Sequence, residues 1–329
     1  MDRRRLVASL AASLLLLAAC GGGEDGGGGA QQDGTAAAEP TRVTVGVIPI
    51  IDVAPLHLGL EQGFFEEEGL ELEISTGEGG AAIVPGVVGG SYDFGFGNSL
   101  SLVVGASTGL PLQVVASGVY GTGDPAADPF ALVTADDSLQ RPRDLEGRTV
   151  AVNTVNAIGD TIVKASVAAD GGDPGTIDFV EVPFPSANAA VLSGEVAAAW
   201  QVEPFITLGA DQGLRVLTTP LNDAADHDVE VSTYFTTRQV AAEDPELVER
   251  FTRAIERSLE YAQENPDAVR DVLPSYLEVT PELADRVILP RWDTEVSRET
   301  FELYVDLGQT YGLLQGDVDL DALLTGAGS

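Results

Sequence analysis

From Arg42 onward, short apolar runs of strand length alternate with segments of helical periodicity, and no other feature narrows the possible folds as much. Val43–Ile48 is apolar almost throughout, as a strand covered on both faces must be. Ala54-Pro55 opens a helix with proline in its first turn, where a missing N–H costs least. That helix stops at Gly63, and Leu70–Ile74 predicts the next strand. Ala81–Val88 predicts a second helix, closed by Gly89-Gly90, which suits a left-handed terminus. Tyr92–Gly97 reads as a strand, Leu100–Ser107 as a helix and Leu112–Ser117 as a strand. Strands alternating with helices make βαβ units, from which largely parallel sheets are expected.

The pattern then recurs. Phe130–Thr134, Thr149–Val152, Ile177–Val182, Val196–Trp200 and Leu214–Thr218 predict strands. Ile158–Ala169, Ala187–Leu192 and residues 204–212 predict helices between them. This second run forms a closed block over 124–225. The C-terminal third reads as helical. Asp244-Pro245 caps a helix in which Leu247, Val248, Phe251, Ala254, Ile255, Leu259 and Ala262 make one apolar stripe. Asn265-Pro266 ends it, Thr280-Pro281 starts another, and a last helix from Ser297 places Phe301, Tyr304, Val305 and Gly308 on one face. Such helices can cover the first sheet, so the chain crosses to a second lobe and returns. Two crossings make a hinge. The expected architecture is α/β, with 42–123 and 226–329 as lobe 1 and 124–225 as lobe 2. A two-stranded hinge joins them, and C-terminal helices cover the first sheet.

Length and composition agree with this. The chain has 329 residues, which suits two lobes better than one, and 44% hydrophobic content supports a substantial core and excludes global disorder. Asp and Glu number 52 against 17 Lys and Arg, a formal net charge of −35. That charge repels phosphate backbones and anionic lipid surfaces, which argues against nucleic acid as a partner. The N-terminus sets the compartment. Arg3, Arg4 and Arg5 precede the apolar run Leu6–Leu17, which is too short to span a bilayer and reads as a signal peptide over 1–19. Leu17-Ala18-Ala19-Cys20 resembles the bacterial lipobox, which implies that Cys20 becomes the N-terminal residue and carries a diacylglyceryl anchor. Cys20 is the only cysteine, so no disulfide forms within one chain, and the Gly-rich stretch over 20–41 reads as a tether. A protein held outside the cytoplasm, touching the membrane through its lipid only, is expected.

Four segments carry a family resemblance. Val43 to Glu73 reads V-T-V-G-V-I-P-I-I-D-V-A-P-L-H-L-G-L-E-Q-G-F-F-E-E-E-G-L-E-L-E. It resembles the opening of the periplasmic binding proteins of ABC importers, in the nitrate/sulfonate/taurine and thiamine-precursor group. Asp93-Phe94-Gly95, Asp144 to Val152, and Gly194 to Phe205 follow in matching order. Three departures stand out: His57 replaces the usual Tyr, Ala198 stands where Asp is common, and Val155 to Asp160 replaces a Gly-Ser-rich turn. The resemblance implies a type II periplasmic-binding-protein fold and a monomeric, non-enzymatic receptor. It also implies that a small-molecule nutrient is passed to a permease with its partner ATPase, without cofactor or metal.

Site candidates follow from a rule independent of the family. In parallel α/β sheets, ligands lie beyond the carboxyl ends of strands, where helix N-termini present free N–H groups. Predicted strand ends carry Asp52, Asn98, Ser99, Tyr120, Asn153, Asn156, Asp160, Trp200 and Glu203. Hydrogen bonds would come from Asp52, Asn98, Asn153, Asn156 and Glu203, and stacking from Tyr120 and Trp200. Each has a plainer alternative: Asp52, Asn98, Ser99 and Glu203 are also good helix caps, and Trp200 also suits a core. His57 reads as packed or surface, and Phe64 and Phe65 as core. Enzyme signatures fail. Only His57 and His227 could act as bases or metal ligands, and Lys164, the sole lysine, lacks a Walker A context. A secreted enzyme on the same fold, like the fungal pyrimidine-precursor synthase, remains the alternative. That enzyme depends on a cysteine-rich motif, and this chain offers only Cys20. The candidates Asp52, Asp160 and Glu203 are carboxylates with no arginine among them. A thiamine-type pyrimidine or other nitrogen heterocycle is therefore favoured slightly over nitrate, taurine or a sulfonate.

Overall fold

In the computed structural model, which describes residues 39–77 and 79–326, the apolar runs become strands sorted into two sheets. The signal segment, Cys20 and the tether up to residue 38 lie outside the described residues. The strands are β1 (Thr41–Val47), β2 (Leu70–Thr76), β3 (Phe94–Asn98), β4 (Leu112–Tyr120), β5 (Phe130–Thr134) and β6 (Thr149–Val152). They continue with β7 (Asp178–Glu181), β8 (Ala198–Val202), β9 (Arg215–Thr218), β10 (Glu230–Thr237) and β11 (Arg291–Trp292). A six-stranded sheet has the order β11-β4-β10-β3-β1-β2, and a five-stranded sheet the order β7-β6-β8-β5-β9.

Three expectations are corrected here. The sheets are mixed rather than largely parallel. β1 runs parallel to β2 and β3, and β6 to β7 and β8, but β10 is antiparallel to β3 and β4, and β5 to β8 and β9. The cause is the double crossing. β10 returns from the second sheet and enters the first between β3 and β4, so it runs against both neighbours. The C-terminal third is also not purely helical, because β10 and the short β11 belong to the six-stranded sheet. Strand β1 starts at Thr41, so the expected tether ends sooner than 41.

Helices cover both sheets. Pro245–Glu264 buries Leu247, Phe251, Ala254, Ile255, Leu259 and Ala262 on one stripe, and Asp244 caps it by accepting from the Leu247 amide at 3.0 Å. Phe251 stacks on Phe94 of β3 with ring centroids 3.8 Å apart. The helix Ala54–Glu61 lies so close to it that a β-carbon on Gly59 would sit 2.0 Å from Ser258 Oγ. Only glycine allows that approach. The two segments crossing between the sheets touch where the Gly121 amide donates to the Val229 carbonyl at 3.1 Å. Asp128, 3% exposed, accepts from the Phe130 and Thr122 amides and from Asn222 Nδ2 at 3.0, 3.3 and 2.9 Å. One carboxylate thus ties both crossings together. Among the described residues, no helix is long and apolar enough to cross a membrane.

Candidate functional site

The carboxyl ends of strands from both sheets meet around a cavity of about 340 Å³. One wall is Ile48, Pro49 and Ile50 after β1, with Thr76 and Gly77 at the end of β2. The other is Pro183, Phe184 and Pro185 after β7, with Phe205 after β8. Phe184 and Phe205 begin the helices Phe184–Leu192 and Phe205–Asp211, and their rings stack with centroids 6.2 Å apart and an interplanar angle of 17°. The described lining contains no lysine, arginine or histidine. Three of its residues are prolines and present no N–H, and the Gly77 and Ile50 amides are already bonded to the Val47 and Ile48 carbonyls. Such a wall offers flat apolar contact and few anion-binding donors.

None of the nominated residues is among those that line this cavity. Asn98 caps the helix Ser99–Ser107, accepting from the Ser101 amide at 2.9 Å. Ser99 begins that helix, fully buried, and its Oγ has no partner among the described residues. Tyr120 donates to the Glu295 carbonyl at 2.5 Å, and the Arg291 guanidinium sits 4.2 Å over its ring, so its face is already covered. Asp160 accepts from the Ala157 amide at 2.9 Å and from Lys164 Nζ at 2.8 Å. Trp200 is 1% exposed and packs in the core beside Phe130.

Asn153 and Thr154 lie against the first sheet's loops, where a β-carbon on Gly79 would be 3.2 Å from Asn153 Nδ2 and 2.5 Å from Thr154 Oγ1. Asn156 is exposed at φ 55° and borders a second groove of about 280 Å³ with Val84, Ser101 and Thr108. Glu203, fully buried, spans the two halves. It accepts from the Thr207 amide at 3.0 Å, Thr207 Oγ1 at 2.7 Å and the Ile288 amide at 3.2 Å, while its carbonyl accepts from the Ile51 amide at 3.4 Å. Burial raises its carboxyl above the ordinary range, partly opposed by those hydrogen bonds.

Asp52 is different. It is 1% exposed, its Oδ1 has no hydrogen-bond partner among the described residues, and burial pushes its carboxyl up to about 7. His57 follows on the same side, its ring stacked 3.8 Å from Tyr276 and held neutral by burial, which lowers it to about 4. The aromatic pair Phe184 and Phe205 escaped the sequence reading, which looked for polar groups at strand ends. The available signal was an aromatic residue flanked by proline just past two predicted strands, in Val182-Pro183-Phe184-Pro185 and Glu203-Pro204-Phe205.

Comparison with known proteins places this arrangement. A family model described as NMT1/THI5 like matches residues 50–269. The formylaminopyrimidine-binding protein of Halalkalibacterium halodurans is 24% identical over 222 residues, covering 66% of this chain and 64% of that protein. The chain therefore matches a little under two thirds of that relative's length. Among solved structures, the alkanesulfonate-binding protein SsuA from Xanthomonas axonopodis pv. citri, bound to MOPS, superposes with a TM-score of 0.71 at 17% identity, over 87% of this chain and 99% of that one. The periplasmic nitrate-binding protein NrtA from Synechocystis PCC 6803 gives 0.73 at 16% identity, over 88% and 87%. The fold is that of type II periplasmic binding proteins.

Proposed function

Since the chain belongs to the NMT1/THI5-like family, we propose that it is the extracytoplasmic solute-binding protein of an ABC importer. It captures one small nutrient between two lobes and hands it to a permease coupled to an ATPase. No covalent chemistry is required. The lobes are taken as 42–123 with 226–329, and 124–225. In support, the six-stranded sheet draws its strands from either side of the five-stranded sheet's. Cys20 is taken as the lipid-bearing residue that moors the protein to the outer face of the cell membrane, and the receptor is taken as a monomer.

The ligand is a planar nitrogen heterocycle of the pyrimidine type. One observation carries this: the cavity between the sheets is walled by the Phe184–Phe205 pair and prolines, without a cationic side chain. Nitrate, bicarbonate or a sulfonate needs charged or converging N–H donors to replace its water. A flat ring needs apolar faces, which are present. A thermal-shift panel of pyrimidines, flavins, sulfonates, nitrate and bicarbonate tests the reading. A ligand at a hundredfold its Kd adds about 2.7 kcal/mol of stability. Heterocycles should raise the melting temperature, and a response to oxyanions alone would end the proposal. Phe184→Ala and Phe205→Ala should each weaken heterocycle binding by roughly 1–3 kcal/mol, the usual scale of base–aromatic stacking. Isothermal titration reads this directly, and unchanged affinity in both variants would place the ligand elsewhere.

A further inference from the structure

With two lobes, opening the cleft breaks every contact that bridges them, so those contacts decide how firmly a solute is held. Arg286 lies before β11 of the six-stranded sheet, and Asp211 ends the helix Phe205–Asp211, which follows β8 of the five-stranded sheet. Arg286 Nη1 donates to Asp211 Oδ1 at 2.8 Å and Nη2 to Oδ2 at 2.5 Å, a fork that fixes both direction and distance. Arg286 Nε donates to the Glu282 carbonyl at 3.3 Å, which holds the guanidinium in place for its partner. The hydrogen bonds from Arg286 keep the Asp211 carboxyl below its usual range. The helix that ends at Asp211 begins at Phe205, which lines the cavity.

No other ion pair joins the lobes among the described residues. Each remaining pair of an arginine or of the sole lysine closes within 42–123 and 226–329, or within 124–225. Lys164 pairs with Asp160 of its own helix at 2.8 Å and reaches across only as a cation 5.8 Å from the Tyr311 ring. Glu203 bridges through the Ile51 and Ile288 amides; burial raises its carboxyl, and the Arg286 charge acts against that rise. The Arg286 and Asp211 side chains stay about half exposed, and an exposed pair adds little to folding. Its position gives it another use. The pair exists only when the lobes meet, so its whole contribution favours the closed arrangement, against the self-repulsion of a chain of formal charge −35.

We propose that Arg286 and Asp211 form a latch that sets solute affinity from outside the cavity: by holding the lobes together they slow the solute's escape without touching it. This rests on reading the chain as a two-lobed receptor and is independent of which solute fills the cleft. Apparent affinity is the intrinsic affinity scaled by the fraction of protein in the binding-competent arrangement, so a shift in the lobe equilibrium appears directly in Kd. Both are positioning residues.

Distances between nitroxide labels on Glu195→Cys and Glu246→Cys, in a Cys20→Ser background, read lobe separation without any solute. That labelled parent should show one short separation at low salt. Arg286→Gln and Asp211→Asn should each add a longer one, and the double variant no more than either alone. Raising NaCl from about 50 mM to about 1 M should shrink the difference between the double variant and its parent, because salt screens an exposed pair. Isothermal titration with 4-amino-2-methylpyrimidine should show each single variant binding about three- to fivefold more weakly, with the double variant within about twofold of the singles. Melting temperatures recorded alongside separate a general loss of stability, which would lower them and leave the label distances unchanged. Unchanged distances in both single variants, or effects that add in the double variant, overturn the latch. A separation that neither substitution nor any solute of the thermal-shift panel moves ends the two-lobed reading with it. Distances that respond in a protein that ignores the pyrimidine keep the latch and end only the choice of ligand.

Discussion

Melting curves recorded across pH should show this protein more stable near pH 5 than near pH 8, the reverse of an acid-labile fold. The cause is a set of carboxyls buried without full compensation. Asp52 is raised by burial from 3.8 to about 7, and Glu230, at the start of β10, from 4.5 to about 7. Glu203 and Asp128 move in the same direction. A carboxyl with a raised folded-state pKa binds its proton more tightly in the native state. Its stabilising contribution is complete below the unfolded value and disappears as pH rises through the folded one. For Asp52 and Glu230 that window runs from about 4 to about 7. His57 opposes them. Lowered from 6.5 to about 4, it stays neutral while the unfolded chain takes up a proton, so it subtracts stability as pH falls below 6.5. Between pH 7 and pH 5 the two carboxyls contribute about 5 kcal/mol, and His57 takes back about 2. The remainder, about 3 kcal/mol, corresponds to a rise of roughly 6 °C or more in melting temperature. Relief of self-repulsion in a chain of formal charge −35 acts with the same sign. Glu230→Gln should remove about half of the carboxyl contribution, because that side chain is held by Ser117 Oγ and the Ser297 amide, both at 2.7 Å, and does not titrate as glutamine. Calorimetry from pH 5 to pH 8 decides it; a profile that climbs toward pH 8 refutes the assignment.

The same buried polar groups mark where sequence reading loses its grip. β5, β6 and the helix Ile158–Ala169 were legible to the residue, because continuous apolar runs and a 3.6-residue stripe report burial directly. β10 was not. Glu230, Ser232, Thr233, Thr236 and Thr237 look like solvent-facing loop residues, yet all are buried in the middle of the first sheet. Their burial is made tolerable by partners far along the chain. Ser117 reaches Glu230 at 2.7 Å, Thr236 donates to the Asp93 carbonyl at 2.6 Å, and Thr300 Oγ1 accepts from the Glu230 amide at 3.2 Å. No local pattern encodes such pairings, although the β-branched and aromatic content of the strand was a usable hint. A rule about strand ends, which needs only topology, pointed to loops after the strands but nominated none of the residues that line the cavity. Its apolar wall was harder to see, since Phe184 and Phe205 follow prolines and resemble ordinary helix starts.

Replacing Glu203 by alanine should destabilise the protein by about 3 kcal/mol and weaken solute binding together, since its carboxylate joins the two halves of the fold. Three donors converge on that group: the Thr207 amide, the Thr207 hydroxyl and the Ile288 amide. Leaving buried donors unsatisfied costs about 1–3 kcal/mol each, and part of that cost is recovered if water enters. Two of the donors belong to the helix that starts at Phe205, whose ring faces the cavity, and the third lies on the segment before β11. Alanine therefore loosens the aromatic wall and the contact between halves at once. Glutamine keeps the shape and one acceptor oxygen for Thr207 Oγ1 and the Ile288 amide, but its NH2 then faces the Thr207 amide, so Glu203→Gln should cost about 1–2 kcal/mol, less than alanine. The pair of variants separates a loss of packing from a loss of connection. If the halves are joined here, small-angle scattering of the alanine variant without solute should show a larger radius of gyration than the parent, with the glutamine variant near the parent value. A glutamine variant as expanded as alanine would show that the negative charge, not the hydrogen-bond geometry, holds the lobes. An alanine variant with unchanged scattering and melting would remove Glu203 from any role in closure.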